Sequence, residues 1–386
     1  MKMDKIIKNG LIFDAIHKEP YQADILIHDG KIAAVGENLT ANDTELIDAA
    51  GKHVYPGFVD AHSHLGMQGS GIGFEGNDVN EMTDILTPQL RAIDGFYPMD
   101  PALHEAAAAG VTTVCTGPGS ANVVGGTFMA VKTVGKRVDK MVIKEAVAMK
   151  CAFGENPKRC YRDVNNFSRM ATASKLRELI LKTLEYDRKL QAAGDDDSKK
   201  PKFDFKLEAM LPVIHKEIPL KAHAHRADDI FTAIRIAKKF GLRLTLEHVT
   251  EGHLIVDELM EENLPMAVGP SLTHASKFEL RNKTFATPGI LAKAGGQVSI
   301  ITDAPVIPQQ YLPLCAELAI KSGMDEFAAL QAITINPAKH IGVEDRVGSI
   351  EVGKDADLVI MPGSCFDIAV APDVVLINGE KVCKED

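Results

Sequence analysis

Tyr55-Pro56-Gly57-Phe58-Val59-Asp60-Ala61-His62-Ser63-His64 is the stretch on which the architecture turns. The apolar run over 54–61 reads as a buried strand that ends in two histidines one residue apart. Side chains alternate faces along a strand, so His62 and His64 point the same way and can grip one divalent metal. The spacing alone is weak, because 13 histidines in this chain give roughly 0.4 His-x-His pairs by chance. A second pair, His223-Ala224-His225, lies further on. Position at a strand end favours metal binding for the first.

Downstream, apolar strands alternate with amphipathic helices, as in parallel βα units. Strands are expected over 54–61, 111–116, 145–151, 219–224, 243–248, 265–269 and 298–302. Pro101 and Gly110 bracket a helix over 102–109, and further helices cover 228–240 and 325–335. This leaves the count at seven, with a gap between 152 and 218. A long helix covers about 168–192 and residues 193–201 form a polar loop. Phe203, Phe205 and Leu207 alternate as in a short strand, although the segment up to Ile214 reads equally well as a helix. Seven or eight units over about 285 residues favour a (β/α)₈ barrel over a doubly wound sheet. No GxGxxG follows the first strand and no GxxxxGK[ST] occurs, which removes the common nucleotide-binding versions.

Residues 1–54 and the C-terminal end have a different texture, with short strands and turns such as Asp29-Gly30 and Asn378-Gly379. The expected organisation is α/β: a distorted (β/α)₈ barrel over 56–340, with a small β-sandwich domain built from 1–55 plus 341–386. The 386 residues carry a formal net charge of -10, which argues against nucleic acid or anionic membrane as partner. No window reaches the length of a spanning helix, and the N-terminus lacks the apolar run of a signal peptide. Six scattered cysteines, Cys151 among them, form no CxxC pair and fit a reducing cytoplasm.

In a barrel the chemistry sits at the C-terminal strand ends. The first delivers His62 and His64. Beyond 145–151 comes Glu155, either a solvated loop carboxylate or a metal ligand. His223 ends the next strand, with His225 on the same face but further out. His248 follows, so Glu247 is expected to face outward or support the rim. His274 lies just past the next strand, in reach of a substrate. Asp303 ends the last and could both contact a metal and take a proton from its water. Imidazole and carboxylate suit zinc, which in catalytic sites keeps a position for water and lowers its pKa to about 7.

These residues resemble the amidohydrolase superfamily. The likeness rests on 56–64, on Thr334-Ile335-Asn336-Pro337-Ala338-Lys339, on 348–359 and on Asp29-Gly30-Lys31-Ile32-Ala33-Ala34-Val35-Gly36. It covers nearly the whole chain and is most like the imidazolonepropionase-related branch. The resemblance implies one or two divalent ions, most naturally Zn, held by His62, His64, His223, His248 and Asp303. Many members complete the site with a carboxylated lysine on the fourth strand, for which Lys206 is the nearby candidate. N-acetylglucosamine-6-phosphate deacetylase uses a third-strand glutamate instead, and Glu155 falls where such a residue would. Where imidazolonepropionase has a glutamate three residues after the fifth-strand histidine, this chain has Arg226, a cation able to hold a substrate carboxylate in bidentate fashion.

The expectation is therefore a metal-dependent amidohydrolase that cleaves a C–N bond in an amide, cyclic amide or peptide-like small molecule. Asp303 is its acid–base group, and Arg226 and His274 are substrate contacts. Deacetylation of an N-acetyl sugar or N-acyl amino acid is a second reading, and a non-enzymatic scaffold a third. A homo-oligomer of such subunits is expected.

Overall fold

Period-two apolar patterning at both ends of the chain builds one sheet. The computed structural model describes residues 4–69, 73–164 and 166–382. Strands β1 (Lys5–Ile12), β2 (Tyr21–His28), β3 (Lys31–Gly36), β4 (Glu45–Asp48) and β5 (His53–Pro56) come first. They are joined at the far end of the chain by β14 (Leu358–Met361), β15 (Val374–Ile377) and β16 (Glu380–Lys381). The order is β16-β15-β14-β5-β1-β2-β3, with β4 paired to β1. β14 runs antiparallel to β5 in the register Leu358↔Pro56, so the returning chain docks beside the residues that lead into His62. Ile7, Ile12, Ile25, Val54, Leu358 and Ile360 are buried together between these strands.

The second sheet is the barrel. It contains β6 (Phe58–Ser63), β7 (Val111–Thr116), β8 (Val124–Lys132), β9 (Val142–Ala152), β10 (Leu220–Ala224), β11 (Leu244–His248), β12 (Met266–Val268) and β13 (Val298–Ile300). They pair in sequence order. Across the seam between β13 and β6, Asp303 N donates to His62 O at 3.2 Å and His64 N to Ala304 O at 2.8 Å. β6 and β7 are buried along their whole length, as strands enclosed on both faces must be.

Two sequence expectations change here. The eighth strand is β8, not a segment hidden between 152 and 218. That gap holds the helices Glu155–Cys160, Arg169–Ala193 and Phe205–Ile214. Glycines at 125 and 126 make the start of β8 look like a loop. Gly126 has φ 119°, and a Cβ there would collide with the Leu90 carbonyl oxygen, so the strand needs a residue that reads as a strand breaker. The βα alternation is also imperfect, since β8 runs antiparallel to both β7 and β9. As a result β9 is the fourth barrel strand, not the third.

A buried ion cluster ties the two sheets together. Lys132, on β8 and 2% exposed, bonds Asp357 and lies 3.1 Å from Asp355. Arg346 Nη2 donates to Asp355 at 2.8 Å and Lys31 Nζ at 3.2 Å. Replacing Lys132 by Met strips the cation from two buried carboxylates and is expected to cost about 3–5 kcal/mol. Burial alone would raise the Asp355 carboxyl, but Lys132 and Arg346 outweigh it and hold it below the ordinary value. Stability from this group is therefore fully present above about pH 4 and is lost as pH falls through the depressed folded value. Denaturant titrations across acid pH should show that limb in the native chain and a shallower one in Lys132→Met. Among the described residues no helix is long and apolar enough to cross a membrane.

Candidate metal centre

The C-terminal ends of β6, β9, β10 and β11, with the residue past β13, converge on one buried cluster. His62 and His64 end β6 on the same face, their rings 5.5 Å apart. His223 and His248 come from the neighbouring strands β10 and β11, with rings 4.3 Å apart. Asp303 Oδ1 lies 3.2 Å from His64 Nε2 and 3.7 Å from His62 Nε2. The ligand atoms of His62, His248 and Asp303 all fall within 4.8 Å of one another, as do those of His223, His225 and His248.

Each imidazole is turned by a hydrogen bond at its outer nitrogen. His62 Nδ1 donates to Glu247 Oε2 at 2.9 Å, His64 Nδ1 to Gly117 O at 2.7 Å, and His248 Nδ1 to Gly269 O at 2.8 Å. Carboxylates and carbonyls only accept, so these three rings carry their proton on Nδ1 and present a bare Nε2 to the centre. His223 Nδ1 meets Ser120 Oγ at 2.8 Å and His225 Nδ1 meets Thr250 Oγ1 at 2.7 Å. His223 Nε2 and His248 Nε2 are buried and have no hydrogen-bond partner. Orphaned nitrogens of this kind are costly unless a ligand satisfies them, and outer-nitrogen bonds that fix the ring are the usual support of metal-binding histidines. Burial pushes His62 and His223 well below their ordinary pKa and His248 to about 4, so all stay neutral donors near pH 7. Burial would raise Asp303, but His248, His64 and His62 outweigh it and keep the carboxylate ionised. The donor set fits a divalent ion, with N and O ligands suited to zinc.

Lys150, which the strand-end reading does not single out, joins this cluster. It is the penultimate buried position but one of β9, fully enclosed, with Nζ 3.0 Å from His62 Nε2 and 5.3 Å from the centre of the Phe128 ring. Burial lowers its pKa to about 8. Its signal was a lysine inside the apolar run Val147-Ala148-Met149-Lys150-Cys151, at a strand end. Because β8 is an additional strand, the fourth strand is β9 with Lys150, not the segment that carries Lys206. Lys206 stands instead on the helix Phe205–Ile214, paired with Asp84.

Glu247 corrects a second expectation. It faces inward, not outward, and is completely buried against His62, Lys221, His340 and Thr245. His248 has φ 76°, outside the strand region, so simple alternation fails and consecutive residues both reach His62. Asp303, at φ 54°, is held in the same left-handed region. Such backbone costs about 1–3 kcal/mol per residue and clusters at functional sites.

The other sequence candidates lie around this cluster or away from it. Glu155 opens the helix Glu155–Cys160, where its backbone N donates to Glu279 Oε2 at 2.8 Å; neither group of close ligand atoms contains it. Arg226 caps the helix Ala227–Phe240 and is engaged by Asp228 at 2.9 and 3.0 Å. His274 is exposed, its carbonyl accepting from Lys283 at 3.3 Å. Cys151 is buried, its thiol pushed up to about 12.

Residues 53–382 match the amidohydrolase family. The chain belongs to that family. A crystal structure of an amidohydrolase from Thermotoga maritima MSB8 superposes with a TM-score of 0.95 at 43% identity, covering 98% of this chain and 100% of that one. Amidohydrolase tasK of Hapsidospora irregularis is 27% identical over 92% of this chain, which spans only 39% of that protein. Dihydroorotase of Thermoanaerobacter sp. is 27% identical over 93% of this chain and 88% of its own length. Lys150 stands on β9, the fourth strand of this barrel.

Proposed function

We propose that this amidohydrolase hydrolyses a C–N bond in an amide, cyclic amide or peptide-like small molecule with the help of one or two divalent ions. The observation that carries the reading is the pair of buried, unpartnered nitrogens, His223 Nε2 and His248 Nε2, beside three further bare or ionised donors. His62, His64, His223, His248 and Asp303 would hold the metal. When bound, such an ion polarises a carbonyl and acidifies water.

Lys150 completes the donor set by a change of charge. An ammonium at this position would repel a cation. Its pKa, lowered to about 8, raises the fraction present as neutral amine, whose nitrogen adds to carbon dioxide with loss of one proton to give a carbamate, an anionic oxygen ligand. Asp303 is more exposed than His64, 15% against 9%, and both line the adjoining cavity. Its carboxylate takes the proton from the attacking water and returns it to the leaving nitrogen. Bare His64 Nε2, 3.2 Å from Oδ1, faces the same point as that carboxylate, an arrangement of two acceptors that suits a shared cation.

Asp303→Asn is expected to lower kcat by about 10²–10⁴, the usual contribution of a positioned acid–base group, while retaining most of the metal. Turnover and metal content measured on the same preparation check this. Undiminished kcat would remove Asp303 from the proton path.

A further inference from the structure

The cavity beside the metal cluster has walls of unequal charge. It measures about 230 Å³ and is lined by His64, His223 and Asp303 of the cluster. Arg159, Lys277 and Asn156 line the same cavity. This is below the 300–1,000 Å³ typical of sites for drug-sized ligands, so its occupant is small.

The two cations differ in how they are held. Lys277 is 17% exposed, with Nζ 3.0 Å from Asn156 Oδ1 and 3.1 Å from Glu279 Oε1. That leaves one of its three ammonium protons unspent. With Oδ1 occupied, Asn156 has its two amide N–H donors left to offer. Arg159, on the short helix Glu155–Cys160, is exposed, and no hydrogen bond or ion pair among the described residues engages its guanidinium. Arg226 is the contrast, since Asp228 already occupies its fork with two bonds. Three sets of donors therefore line one cavity, while among the described residues the one carboxylate lining it, Asp303, belongs to the metal cluster.

We propose that Arg159, Lys277 and Asn156 form a carboxylate-binding subsite, and that the substrate is a small anionic amide: an N-acyl amino acid, dipeptide or ureido acid whose carboxylate sits there while its C–N bond lies over Asp303. This rests on the hydrolase reading. A planar guanidinium with a free fork matches a carboxylate in geometry as well as charge. Lys277 adds a second charge, anchored by Glu279 so that it need not be ordered at each binding event.

The test pairs each free acid with its C-terminal carboxamide, using N-acetyl amino acids, dipeptides and ureido acids with the zinc-loaded enzyme. Free acids are expected to be turned over with at least tenfold higher kcat/KM. Arg159→Gln and Lys277→Met should each raise KM for the acid about ten- to a hundredfold, the scale of a lost hydrogen bond to a charged group. They should leave the carboxamide little changed, so that the acid/amide ratio falls toward one. Equal turnover of acid and amide, or equal loss on both in the variants, overturns the subsite and leaves the hydrolase reading standing. So does a ratio that collapses in Arg226→Gln instead. If no compound in the panel is hydrolysed, it is the hydrolase reading that has failed, and thermal stabilisation by the same pairs decides the subsite separately. Stabilisation by acids only, abolished in Arg159→Gln, supports it; no preference for acids overturns it.

Discussion

Lys150→Met is expected to cut turnover by at least about a hundredfold, the upper scale for removing a group that tunes a metal site, and to lower bound metal while the protein stays folded. Methionine keeps most of the apolar stem against Phe128 and leaves no unpaired buried charge. The lysine is fully enclosed, 3.0 Å from the bare nitrogen of His62, with an amine that burial brings down to about 8. Those features favour capture of carbon dioxide. Mass spectrometry of the gently handled native chain should accordingly find one carbon dioxide adduct, mapped to Lys150 and absent from the variant. Glu155→Ala is the informative comparison, because Glu155 is the carboxylate the sequence offers for the same role and the fold leaves it outside both ligand groups. Its metal content should match wild type. Loss of metal in Glu155→Ala together with full metal and turnover in Lys150→Met would reverse the assignment.

Glu247→Gln is expected to destabilise the chain by about 3–5 kcal/mol, the cost of leaving a buried charge without its partner. Lys221, 1% exposed, would keep its ammonium inside the barrel with no anionic partner, facing Ala61 O at 2.8 Å and the Phe128 ring at 5.3 Å. Glu247 also accepts from His62 at 2.9 Å and from His340 at 2.9 Å, so the same change frees the His62 ring. Activity should fall by about 10–100-fold through lost orientation of a metal-holding histidine. The two effects separate in the double variant Glu247→Gln/Lys221→Met. Removing the stranded cation should recover much of the stability in chemical denaturation and none of the activity. A single-variant loss below about 1 kcal/mol, the level of an exposed pair, would show that the network is not buried in solution as described.

Much of this site was legible from two periodicities. A strand that ends in His62 and His64 points both rings one way, and the same logic located His223, His248 and Asp303 at later strand ends. What it missed follows from places where the backbone departs from regularity. The glycines that open β8 hid a strand, and the miscount displaced the fourth-strand lysine from Lys150 to Lys206. Glu247 faces inward with Thr245 and in register with His223, and the left-handed φ at His248 brings the next side chain to the same centre, against the alternation that put Glu247 on the rim. Arg226 has the chemistry of a carboxylate clamp, but its partner Asp228, two residues on, fills the fork. Arg159, whose guanidinium has no partner among the described residues, is singled out by no strand-end rule because it rides on a short helix. Side chains placed by regular strands can be read from spacing. Those placed by turns, antiparallel insertions and loop helices depend on contacts between distant segments.

The most direct test is elemental analysis of the purified protein beside His248→Ala, with circular dichroism confirming the fold of both. His248 belongs to both groups of converging ligand atoms, so its loss strikes every position at which the cluster can hold an ion. A wild-type chain with stoichiometric divalent metal, and a folded His248→Ala protein that has lost most of it together with turnover, is the result this account predicts. Equal metal in the two proteins, or full hydrolysis by a wild-type enzyme stripped of metal, would contradict it.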